Sequence, residues 1–101
     1  MENQSPPDET VVRLAEVLDL NAAGPLARQL MAVRGRNVRV DASAVSRMGA
    51  QCLQVLLSAR ATWNADGASF ALVSASSEFA STLALLGAPI ERHFNSRELS
   101  A

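Results

Sequence analysis

Few residues in this chain have the type and spacing to do chemistry: one cysteine, one histidine, and an aspartate and serine two positions apart. Cys52 falls about one turn into a helix, where N–H groups can lower a thiol pKa and create a nucleophile. It also lies on the apolar stripe Cys52, Leu56, Ala59, Trp63, with no His, Asp or Asn spaced to assist it, so it reads as a buried, inert thiol. His93 could serve as a general base, but it sits in a short polar tail without a carboxylate or serine motif beside it and reads as a surface residue. A single cysteine excludes an internal disulfide, and with the histidine so distant there is no metal-ligand spacing. Asp41 and Ser43 stand at the C-terminal end of a strand, where open α/β sheets bind ligands; the competing use is to hydrogen-bond the turn that follows, and that use is favoured. The residues therefore predict no hydrolase, transferase or redox activity, no cofactor and no metal.

The elements that position these residues centre on Asn37 to Leu57. Val38, Val40 and Ala42 alternate with Arg39 and Asp41, the pattern of a short strand entering a polar turn. From Gly49 or Ala50 the period changes, and Leu53, Val55 and Leu57 widen the Cys52 stripe, predicting a helix with a broad buried face as far as Asp66. A strand that feeds a helix through small residues leaves N–H groups unpaired at the helix start, which makes that end the place to look for function. Upstream, Met1 to Glu9 is rich in proline and acidic residues and predicts a flexible lead-in over 1–9, with a single domain over 10–101. Thr10 to Leu14 and Glu16 to Leu18 predict two short strands forming a paired sheet edge. A helix capped at Asn21, or at Gly24 with Pro25 as its first residue, follows; its inner stripe is Leu26, Leu30 and Val33, and Gly35 is its stop. Ser69 to Val73 is apolar on both faces, which predicts a strand covered by helices on both sides. Ser76 caps a last helix with Glu78 in its first turn and Phe79, Leu83 and Leu86 inside, ended by Gly87 and Pro89; a half-strand is expected at Ile90 to Phe94. The order predicts a small α/β protein, a mixed β-sheet covered by helices.

Composition fits a soluble globular protein. The apolar fraction is 49% and the formal net charge −1, so charge makes no case for nucleic acid or an acidic membrane. Arg34, Arg36 and Arg39 are the nearest thing to a basic cluster, and they straddle a helix end and a strand. No apolar run approaches the ~20 residues that cross a bilayer, and the expected location is cytoplasmic.

The central stretch resembles the signature of STAS domains of the anti-sigma-factor-antagonist type, roughly Asp-Leu-Ser-x-Val-x-x-Ile-Asp-Ser-Ser-Gly-Leu-x-x-Leu-Leu. Asp41, Ser43, Val45, Met48, Leu53, Leu56 and Leu57 fall in register with it. Val17-Leu18-Asp19 followed by Ala22, Pro25 and Leu26 is similar to the family's entry into its first helix, so the likeness spans about Val11 to Leu86. It implies a STAS-like fold and a non-enzymatic bacterial signalling module whose protein partner, an anti-sigma factor or histidine-kinase-type regulator, docks on Ser46, Arg47, Met48, Gly49, Ala50, Gln51 and Gln54. Where phosphorylated members carry Asp-Ser-Ser-Gly, this chain has Gly49, Ala50, Gln51 and Cys52. Ala50 has no hydroxyl, so the family's phosphorylation switch cannot operate there, and Ser46 is the nearby hydroxyl that could substitute. Ser46 and Arg47 show no structural purpose in the sequence; Met48 could face the partner or the core. Two other functions stay open: an accessory of a chemotaxis kinase or a lipid-transport ATPase, and a small anion- or nucleotide-binding protein using the N–H groups of Ala50 and Gln51 beside Arg47. The absence of a Gly-rich phosphate loop counts against the last.

Overall fold

A computed structural model describes residues 9–86. In chain order it holds β1 (Glu9–Arg13), β2 (Val17–Leu18), α1 (Leu20–Met31), β3 (Asn37–Asp41), β4 (Arg47–Met48), α2 (Ala50–Asp66), β5 (Phe70–Val73) and α3 (Ser77–Leu85). The sheet order is β1-β3-β5, and β2 with β4 forms a separate two-stranded pair. A mixed sheet requires an antiparallel partner, and all three pairings among the described residues are parallel. The expected paired edge of β1 and β2 is corrected: β1 pairs with β3, and after Leu14 N–H donates to Asp41 O the chain crosses to pair β2 with β4 instead. Glu9 belongs to β1, so the lead-in expected over 1–9 ends at least one residue sooner.

Alternation decides which face is buried. Val12, Val38, Val40, Phe70 and Leu72 are at most 5% exposed and join one core with Leu26, Leu30, Leu53, Leu56, Trp63, Phe79 and Leu83 from the three helices. Each such fully buried Val or Leu contributes about 1.5–3 kcal/mol relative to exposure. The opposite face carries Val11, Arg13, Arg39, Asp41, Ala71 and Val73, half-buried or exposed. The expected two-sided cover of β5 is therefore not found among the described residues: on its second face Ala71 and Val73 are only half-buried.

The start of α1 also departs from expectation. Its N-cap is Asp19, whose Oδ1 accepts from Ala22 N–H at 3.2 Å, so neither Asn21 nor Gly24 caps and Pro25 lies inside the helix. A proline there removes a bond and strains the turn. Burial of Leu26 and Leu30 outweighs that local preference. α1 ends at Met31, and tighter i→i+3 turns (Val33 N–H to Leu30 O, Arg34 to Met31, Arg36 to Val33) carry the chain to Gly35, whose φ of 89° is the actual reversal. At the last helix Ser76 caps as expected, but Leu86 is 42% exposed and does not belong to the inner stripe. Gly87, Pro89, the half-strand at Ile90 to Phe94 and His93 lie outside the described residues.

Candidate functional site

The segment from Asp41 to Gln54 is shaped almost wholly by its backbone. Asp41 Oδ1 accepts from Ser43 N–H at 2.9 Å and starts the turn. That bond and the Ser43 hydroxyl, with Arg13 adding charge at 3.9 Å, hold the Asp41 carboxyl below the usual carboxylate range. Val45, 1% exposed, pins the loop to the core, and Val45 N–H donates to Ala42 O. Next, Glu16 O gathers three donors: Ser46 N–H at 2.8 Å, Ser46 Oγ at 3.1 Å and Arg47 N–H at 3.3 Å. β4 then runs parallel to β2, and Gly49 N–H donates to Leu18 O at 2.9 Å.

α2 begins without a side-chain cap. Gly49 is its N-cap in ordinary extended backbone (φ −97°, ψ 173°), and the first turn has no acidic residue. The first helical bond is Leu53 N–H to Gly49 O, so the N–H groups of Ala50, Gln51 and Cys52 precede the helical ladder. The positive end of the helix dipole therefore meets the surface beside the exposed Arg47, whose side chain makes no hydrogen bond or ion pair among the described residues.

The seven residues singled out in the sequence do not form one patch. Ser46, Arg47, Met48 and Gly49 line a cleft of about 390 Å³ with Leu18, Asp19, Leu20 and Thr82. Gln51 and Gln54 instead face a groove of about 260 Å³ between α1 and α2, over Ala27, Leu30, Met31, Val55, Ala59 and Trp63. Ala50 is exposed on the helix start that divides the two. Met48 is only 8% exposed and supports the cleft from beneath. Ser46 does have structural work, since its hydroxyl donates to Glu16 O, which corrects the view that it had none. Sequence reasoning missed Asp19, 70%-exposed Leu20 and Thr82; the first two adjoin the Val17-Leu18 motif, whereas Thr82 enters only through the packing of α3.

Cys52 does not have the setting of an activated nucleophile. Cys52 is fully buried, its Sγ donates to Asp19 O at 3.4 Å, and burial first, then the Asp19 charge, pushes the thiol pKa up. Among the described residues no group of three or more His, Cys, Asp or Glu could hold a metal ion, and no helix is long and apolar enough to cross a membrane.

Three parallel strands, three helices and an open helix start after a small-residue turn agree with the family model described as "Mlab, STAS domain", which matches residues 1–89. The chain belongs to the STAS domain family. STAS domains are generally non-enzymatic modules that mediate protein interactions. Nine solved chains match this STAS domain, among them the NMR structure of the protein TM1081, at 16% identity and a TM-score of 0.71, covering 91% of this chain and 75% of that one. At that identity the likeness is one of fold. No curated protein matches the chain.

Proposed function

We propose that this STAS domain is a non-enzymatic docking module for a protein partner, with contact centred on Ser46 to Gln54 and with no phosphorylation switch at Ala50. What supports the reading most is the division of labour in the loop. Backbone bonds to Glu16, Leu18 and Ala42 fix its path, while the side chains of Arg47, Gln51 and Gln54 are left to solvent. The open N–H groups of α2 and Arg47 give the turn positive character, and Asp19 is the single carboxylate of its cleft, so the matching partner surface carries acceptors or acidic side chains. In the anti-sigma-antagonist version of this function the partner is a kinase-like regulator. A second version, a standing accessory subunit of a transport ATPase or of a chemotaxis kinase, is favoured by Ala50 itself, because a permanent contact has no need of a phosphoacceptor.

The test is capture of candidate regulators and ATPase subunits on the immobilised chain. Arg47→Glu reverses the loop's free charge, and Ala50→Glu places bulk and negative charge at the helix start. Each should lose the partner while keeping the thermal melt of the wild type within the ~0.5 kcal/mol expected of an exposed substitution. Full retention by both folded variants would place the interface elsewhere.

A further inference from the structure

α3 contributes more to the candidate docking loop than a wall. Ser76 sits at its N-cap and its hydroxyl works in two directions. Oγ accepts from Phe79 N–H at 3.0 Å, closing the helix start, and donates to Val45 O at 2.6 Å, holding the loop one residue before Ser46. Ser76 N–H also donates to Ala42 O at 3.2 Å, so both ends of the segment Ala42–Val45 are tied to the same residue. One turn beyond Phe79, Thr82 lines the cleft together with Ser46, Arg47, Met48 and Gly49.

We infer that Ser76 is a positioning residue for the docking loop: through its hydroxyl proton it fixes Val45 and thereby Ser46 and Arg47, so that α3 and the loop are set as one unit. This rests on the docking function proposed above for its importance to binding, but the coupling itself is a property of the free protein. The chemistry separates the two duties of the hydroxyl. A serine or threonine both accepts and donates, whereas an ionised aspartate can accept from Phe79 N–H but has no proton for Val45 O. Aspartate is a good N-cap and suits the positive end of α3. The substitution Ser76→Asp therefore keeps the cap and cuts the clamp.

Hydrogen exchange on the whole chain, read amide by amide, provides the test. In Ser76→Asp the Ser46 and Arg47 amides, both bonded to Glu16 O, should exchange on the order of tenfold faster, as expected for the loss of one buried hydrogen bond. Phe79 and Ala80 should keep their wild-type rates. Ser76→Thr should restore wild-type exchange at all four. Ser76→Ala should speed both groups, and it gives an independent reading if the aspartate variant does not fold. Unchanged protection at Ser46 and Arg47 in either Ser76→Asp or Ser76→Ala, with Phe79 behaving as stated, would overturn the inference. Loss of the partner by Arg47→Glu is measured separately; a protein in which Arg47→Glu binds fully while the exchange pattern holds would retain the clamp and lose the docking function.

Discussion

The two ends of α2 are finished in opposite ways. The C-terminal end closes on itself: Gly67 adopts φ 72°, its N–H donates to Asn64 O and Ala68 N–H to Trp63 O, so two of the last four helix carbonyls are paired. Trp63, 1% exposed, meets Phe70 edge-on at 5.6 Å and donates from Nε1 to Arg36 O at 2.7 Å. Arg34 covers Asp66 with two bonds, at 2.9 and 3.2 Å. At the N-terminal end Gly49 offers no side-chain cap, Ala50 offers no oxygen, and Gln51 and Gln54 stand in solvent. One helix thus has an end tied into the fold and an end whose first donors precede the helical ladder, which is the ground for proposing the second as the docking end.

Damage should be large at the closed end and slight at the open one. Trp63→Ala removes a buried ring, its edge contact and the bond to Arg36 O together, and should cost about 3–5 kcal/mol in denaturant unfolding. Trp63→Phe retains most of the volume and should cost about 1 kcal/mol, mainly the indole N–H. A loss below 1 kcal/mol for the alanine variant would mean that this end is not tied to the core. Gly67→Ala is next. A Cβ there meets nothing within 4 Å, so the cost comes from the left-handed backbone alone, about 1–2 kcal/mol. The same change at Gly49, where φ is −97°, should cost no backbone strain.

The Arg34 and Asp66 pair should have a smaller and pH-dependent effect. Its hydrogen bond to Arg34 holds the Asp66 carboxyl below the ordinary carboxylate range. A lowered folded-state pKa gives stability that is present above the unfolded value and lost as pH falls through the folded one. Arg34→Gln should therefore melt below the wild type at neutral pH, with the gap closing in acid as Asp66 protonates, and also narrowing in high salt because both groups are exposed. A gap that stays constant from pH 7 down to pH 2 would show that Arg34 acts through packing alone.

The closed end was also the legible one. The Trp63 stripe, the helix end at Asp66 and the Val38, Val40, Ala42 alternation are local patterns, and the structure places each as read, as it does the Ser76 cap and the burial of Cys52. What escaped the sequence depends on partners brought from afar. Ser46 looked idle because its acceptor, Glu16 O, lies 30 residues away; Arg34 read only as one of three arginines straddling a helix end and a strand because Asp66 is 32 residues away. Val17 and Leu18 read correctly as strand, yet the choice of β4 over β1 as partner leaves no trace in their own side chains. α1 misled for another reason: Gly24-Pro25 is a strong local signal for a helix start, and buried Leu26 and Leu30 override it. The candidate site was legible as a segment, but its division into a cleft and a groove was not, since Thr82 and Met31 reach it from other helices.

The smallest effect on folding should come at Gly49, and it sharpens the contrast most. Since a Cβ at 49 would meet only Leu18 O at 3.9 Å and the backbone is already extended, Gly49→Ser fits without rearrangement. Its hydroxyl could accept from the N–H of Gln51 or Cys52, the N2 and N3 donors of α2. Serine is better than glycine at an N-cap by only a few tenths of a kcal/mol, so the variant should be equally stable or slightly more so. If the free donors of the helix start are what a partner uses, giving one of them to an internal acceptor should weaken binding although the fold has improved. Gly49→Ala, which adds the Cβ but no acceptor, is the control for bulk. Weaker binding by Gly49→Ser than by Gly49→Ala, at matched stability, would assign the contact to the open N–H groups; equal binding by both would shift the weight of the interface to the Arg47 side chain.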